Sequence, residues 1–290
     1  FAFLILNLSF VFFSLIIFVK SLLLIKVRPV LISLTLPLIV ASVDMLIWPK
    51  FILSDMIYAF LVLLSVYFII KGIIKDKINY LELSIIIFLL LASRPSSISA
   101  VFAILSFIII SKFPIFMKQK NILLSILITF ISTPFLLGLA YLFIEFYFDN
   151  IAKIDFYTDM VKNGMIIHDR PETWVNQPKN FIDTVYIYFL RLINFFNPYA
   201  STFSIVHIAL NAIQIVLILF SVFIWFFFGG HIKIYDKIFL FIILLSLSVA
   251  AFHSFILIDY DWRYRFPIIL PLILLFPISL EIIVKKFCND

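Results

Sequence analysis

Charge is scarce in this chain. Only 13% of its 290 residues are Asp, Glu, Lys or Arg, against roughly 25% in soluble domains. Glycine is rarer still, with 5 residues. No phosphate-cradling glycine-rich loop can be found, and neither GxSxG nor HExxH occurs. ATP-driven chemistry within the chain therefore has no support. One cysteine, Cys288, stands near the C-terminal end. That excludes an internal disulfide framework and leaves too few ligands for a cysteine-based metal site or an iron–sulfur cluster.

Apolar side chains fill the space that charge leaves. Hydrophobic residues make up 64% of the sequence, and phenylalanine alone occurs 37 times. A soluble fold cannot hide that much apolar surface, so the surplus must face lipid. A spanning helix needs about 20 mostly apolar residues. Nine runs are candidates, at 1–19, 29–47, 51–70, 80–92, 96–111, 121–147, 204–228, 238–257 and 266–284. The expected fold class is an all-α, polytopic transmembrane protein. Runs four and five are short and flank Ser93-Arg94-Pro95-Ser96, where two full spans and two half-buried helices meeting at a proline corner are both open readings.

The net charge of +6 is dispersed in short groups between apolar runs, which argues for topology and against nucleic acid. A lipid-phosphate partner stays compatible with it. Lys20, Lys26 and Arg28 form one group, followed by Lys71, Lys75 and Lys77, by Lys112, Lys118 and Lys120, by Lys233 and Lys237, and by Lys285 and Lys286. All five groups share one side if the nine spans alternate, and basic short loops mark the cytoplasmic side. The same alternation puts Phe1 outside, so at least one preceding span and its loop are expected to be missing. No basic leader or small-residue cleavage site opens the chain.

Five of the six arginines fall on the opposite side: Arg94, Arg170, Arg191, Arg263 and Arg265. Any cation serves topology, whereas arginine offers a planar fork matched to carboxylate or phosphate. The arginine-rich side is therefore the candidate working face. It also carries the sizeable polar segment 148–203, which divides the chain into helices 1–147, an extracytoplasmic loop and helices 204–290. Residues 181–196 have the length and apolar content of an amphipathic helix lying on the outer membrane surface.

A charge inside a span costs at least about 2.5–3.5 kcal/mol unless it is paired or near an interface. Asp44 and Asp55 lie near the outer ends of runs two and three, where only Trp48-Pro49-Lys50 separates the helices, so their carboxylates can converge. Asp55 could also simply cap its helix or pair with Lys50. Arg94 cannot deprotonate to escape desolvation and needs an anion, from the protein or from a ligand. The densest group is Asp259-Tyr260-Asp261-Trp262-Arg263-Tyr264-Arg265-Phe266-Pro267. Its aromatics can be interfacial anchors. Two arginine forks beside a lipid-facing groove also suit a phosphate headgroup. His253 reads as a buried histidine rather than a base, and His168 with Asp169 and Glu172 as part of an acceptor or metal site or as a polar loop. His207 and His231 look incidental.

Three segments carry a resemblance. ILSDMIYAFLVLLSVYFIIK, LLLASRPSSI and DWRYRFPIILPLILL come in the order and spacing of the GT-C-type membrane glycosyltransferases, and are most similar to their bacterial protein mannosyltransferase and aminoarabinose transferase branch. The resemblance implies a multi-pass protein of the bacterial inner (plasma) membrane. Its implied reaction moves a sugar from a polyprenyl-phosphate carrier to a glycan, lipid or protein acceptor at the outer face. Arg263 and Arg265 would hold the carrier phosphate, with Tyr264 and Asp261 beside them and Arg94 assisting. Asp55 and Asp44 would be the catalytic acids within this chain. Asp55 stands where the family usually has Glu. The family's chief catalytic acid lies in a loop preceding the part resembled here, so the main base is expected outside this sequence. No metal site is assigned. A transporter or flippase of lipid-linked saccharides, or a polymerase-like enzyme, is the competing reading. A scaffold subunit would leave the outer arginines unexplained.

Overall fold

The computed structural model describes residues 2–40, 42, 45, 48–50, 55–112, 165–166, 174–175, 181–199, 203–229, 233–255 and 262–287. In hydrocarbon every backbone N–H and C=O must be satisfied within its own segment, which favours helix wherever the chain is continuously apolar. Accordingly the described residues form nine α-helices: α1 Ala2–Leu24, α2 Pro29–Val40, α3 Asp55–Ile74, α4 Tyr80–Ser93, α5 Ile98–Ser111, α6 Phe181–Phe195, α7 Ile205–Phe228, α8 Lys233–Phe255 and α9 Phe266–Phe287. Single 3-10 turns cover Trp48–Lys50, Pro95–Ser97 and Trp262–Arg265. The strands β1 Met165–Ile166 and β2 Trp174–Val175 form a two-residue antiparallel pairing, a minor departure from an otherwise helical chain.

Five of these helices, α1, α3, α7, α8 and α9, are long and apolar enough to cross a membrane. That count is smaller than the nine runs in the sequence. The described part of run two ends at Val40, giving a helix of 12 residues, only about 18 Å at 1.5 Å per residue. The run at 121–147 lies outside the described residues, as do Lys118 and Lys120. Runs four and five become α4 and α5, with 14 residues each. Between them Arg94 is extended and Pro95 opens a 3-10 turn, so they meet as short helices at a proline corner. A proline disfavours helical backbone in the residue before it, which stops α4 at Ser93.

With few glycines available, α1 and α3 end without them. Lys26 and Asp76 adopt positive φ, 62° and 48°. In each case the N–H of the next residue reaches back five positions, from Val27 to Leu22 and from Lys77 to Gly72. The N–H groups of Lys26 and Asp76 bond Leu23 and Ile73. This is the Schellman arrangement, built twice on residues that tolerate the left-handed region less well than glycine. Helix starts are capped by side chains: Asn79 Oδ1 accepts from Leu81 N and Glu82 N, and Ser204 Oγ accepts from His207 N.

Helices α8 and α9 sit at the centre. Helix α9 packs against α2, α3, α7 and α8, while α8 also touches α5 and α6. Helix α1 lies outside α3 and exposes Phe3, Phe12 and Phe13. Side-chain contacts gather the helix ends into two sets. At one end Glu281 Oε2 accepts from Arg28 N at 3.0 Å, Lys285 Nζ donates to Tyr235 Oη at 2.7 Å, and Trp225 Nε1 donates to Asp236 Oδ1 at 3.0 Å. Lys71 bonds Glu82 across the α3–α4 turn at 2.8 Å. At the other end Asn7 Nδ2 donates to the Pro49 carbonyl at 3.1 Å. There Arg265 reaches the turn after α6. The basic groups at Arg28, at Lys233–Lys237 and at Lys285 thus share one end, and the turns that carry Arg94 and Arg265 both meet α8.

Candidate functional site

The arginine end contains two constructions flanking α8, which touches both the Pro95–Ser97 turn and the Trp262–Arg265 turn. The first joins α3 to the proline corner. Asp55 opens α3 and is buried. Its carboxylate forms an ion pair with the Arg94 guanidinium. A carboxylate in the first turn also meets the positive end of the helix dipole. The corner that presents Arg94 is tied locally, because Ser97 Oγ donates to the Arg94 carbonyl at 2.6 Å and Ser93 Oγ to Leu90 O at 2.7 Å. The anion that Arg94 requires is therefore found within the protein.

The second construction surrounds Arg265. The 3-10 turn before α9 directs this side chain inward, and it is only 4% exposed. Its Nη1 donates to the Asn197 carbonyl at 2.7 Å. Its Nε and Nη2 find no hydrogen-bond partner among the described residues. Asn211 of α7 donates to the neighbouring Pro198 carbonyl at 3.4 Å, so Arg265 and Asn211 pin the same turn. Beneath Arg265, between α7 and α9, lies a cavity of about 20 Å³. Its walls are mostly aliphatic, from Ile215, Ile218, Ile268 and Leu272, with Asn211 and Gln214 at the side.

A stack of rings fixes the turn from the other direction. Tyr264 lies over His253 with centroids 4.3 Å apart and planes 8° from parallel. His253 in turn stacks on Phe195, at 6.3 Å and 15°. This brings α6, α8 and the turn before α9 together. His253 is thereby a buried packing residue, in keeping with the sequence reading. Replacing His253 with alanine removes the middle ring. It should lower stability by about 1 kcal/mol, the scale of an aromatic pair beyond its buried area, seen as a fall in the detergent melting temperature.

Of the residues proposed from sequence, the structure brings Asp55 to Arg94 and Tyr264 to His253, and it sets Arg265 in a separate pocket. Asp44 and Asp261 lie outside the described residues, so their convergence with Asp55 or with the arginines has no geometry here. Arg263 is described only as part of the 3-10 turn. His168, Asp169, Glu172 and Arg170 also lie outside the described residues. Sequence reasoning missed Asn211 and Gln214. Their signal was present: with His207 they recur at helical spacing in an otherwise apolar span, and all three are buried. The carbonyl of Asn197 could not have been found, because any residue supplies that atom. Among the described residues no group of three His, Cys, Asp or Glu side chains is arranged to hold a metal ion.

Comparison with known protein families, with curated proteins and with solved structures gave no match.

Proposed function

We propose that this chain belongs to a lipid-carrier-dependent glycosyltransferase of the GT-C type, crossing the membrane several times with its lysine end cytoplasmic. On this reading a sugar passes from a polyprenyl phosphate to an acceptor at the arginine end. The observation that carries the proposal is Arg265. A guanidinium stays charged at any relevant pH, and this one is buried with two nitrogens unbonded among the described residues. Its acceptor among the described residues is a carbonyl, not an acid. Such a group is suited to an anionic ligand.

The chemistry fits these parts. A lipid phosphate is a good leaving group, so the transition state needs cations placed where negative charge develops. It also needs a base to take the acceptor proton. Arg265, with Arg263 from the same turn, would supply the first. Asp55 is engaged by Arg94 in the described arrangement, so this pair orders the corner. The main base would come from elsewhere.

The experiment measures sugar transfer from a labelled polyprenyl-phosphate sugar in membranes carrying the full-length protein. Arg265→Ala is expected to lower transfer at least about tenfold, the loss of one charge-assisted contact. Arg265→Lys should recover part of it, since an ammonium keeps the charge but lacks the fork. Undiminished transfer by a well-expressed Arg265→Ala protein would overturn the assignment.

A further inference from the structure

Helix α6 is assembled inside out. Along one face Ile182, Tyr186, Phe189 and Ile193 follow each other at helical spacing and are between 49% and 76% exposed. Along the opposite face Ile187, Arg191 and Phe195 are buried, and Arg191 has no exposed surface at all. That face packs on α8, where Phe195 meets His253. A helix resting in water does the reverse, turning its arginine out and its aliphatic stripe in. Facing hydrocarbon, an arginine costs several kcal/mol, so it must turn toward the protein while aliphatic side chains face out.

We propose that the Ile182–Tyr186–Phe189–Ile193 stripe is a lipid-docking surface, seated among the acyl chains of the membrane below the aqueous boundary. Two further observations point to lipid as the occupant. After the short turn that follows α6, α7 begins with Ile205 and Val206, both strongly exposed, and α7 is itself long and apolar enough to span. The one fully buried cation of α6 is directed into the bundle, which removes the helix's main reason to stay at the water surface. The seating matters because the turn after α6 supplies the Asn197 carbonyl that holds Arg265. Lipid packing against α6 therefore bears on where that guanidinium sits. The inference does not depend on which reaction the protein performs.

The test uses nitroxide labels on single cysteines, with Cys288→Ser removing the native thiol. Labels placed by Phe189→Cys and Ile193→Cys, in the full chain in lipid bilayers, are compared with two controls. Val216→Cys marks the exposed flank of α7, and Lys112→Cys marks the lysine end. The expected result is a ratio of oxygen to nickel-chelate accessibility raised to that of the Val216 label and well above that of the Lys112 label. A ratio like that of Lys112 would mean an aqueous face and overturn the proposal. Low accessibility to both reagents would mean that protein, from this chain or a second copy, covers the stripe, and would overturn it equally. Transfer activity is not read, so failure here is distinct from failure of the glycosyltransferase reading.

Discussion

Replacing Arg94 with alanine is expected to destabilise the protein by about 3 kcal/mol, at the low end for breaking a buried ion pair. The low end applies because the Arg94 side chain keeps 21% of its surface exposed, against 3% for Asp55. The larger part of the loss comes from what remains. Asp55 would be a buried carboxylate without its cation, and the proline corner would lose its tie to α3. Adding Asp55→Asn to Arg94→Ala removes the stranded charge and should recover more than half of the lost stability, giving a strongly non-additive cycle. Thermal melting in detergent, followed by the folded fraction on size exclusion, measures both. Additive losses would show that the two side chains do not depend on each other. If the doubly neutral protein folds but transfers no sugar, the pair also serves the site; if it folds and transfers normally, the pair is purely structural.

An effect of the same size is expected at the other end of the bundle. Glu281 is buried in α9, with its side chain 2% exposed. It accepts from the Arg28 backbone N–H at 3.0 Å and lies 3.7 Å from both the Arg28 guanidinium and the Lys285 ammonium. Lys285 continues the network to Tyr235, whose hydroxyl approaches the Ile25 carbonyl at 3.5 Å. One carboxylate thus ties the α1–α2 turn to α8 and α9. Glu281→Ala should cost about 3 kcal/mol, because it leaves a backbone N–H without its acceptor and removes the buried carboxylate that Arg28 and Lys285 share. Glu281→Gln keeps an acceptor but not the charge, and should fall between alanine and the unaltered protein. A Glu281→Ala protein that melts with the unaltered one would show that the network adds nothing.

Much of this architecture was legible before any coordinates. The lysine groups identified which helix ends belong together, because a charge near a membrane has few permitted places. The contacts among Arg28, Glu281, Lys285 and Tyr235 gather three of the five groups, those at the α1–α2 turn, the start of α8 and the end of α9. The proline at 95 marked the corner after α4, since its ring restricts the backbone of the residue before it. The amphipathic segment became α6 within a residue of its expected limits. Glu281 was within reach as well: an acid four residues before Lys285 in an apolar span needs a partner, and i,i+4 spacing offers one.

Other features were not legible. Sequence showed that Arg94 needed an anion, but both Asp44 and Asp55 were candidates, together with any ligand. The packing of α3 against α4 brings Asp55 to Arg94, while Asp44 lies outside the described residues. Arg191 and Arg265 looked alike, as outer arginines beside aromatics. Tertiary structure buried the first against α8 and aimed the second at a backbone carbonyl over an apolar cavity. Hydrophobicity is a property each residue carries with it, so composition alone pointed to helices long and apolar enough to cross a membrane. Pairing is a property of two residues and the path between them. Which acid meets which arginine, and which face of α6 turns outward, was decided only when the helices closed on one another.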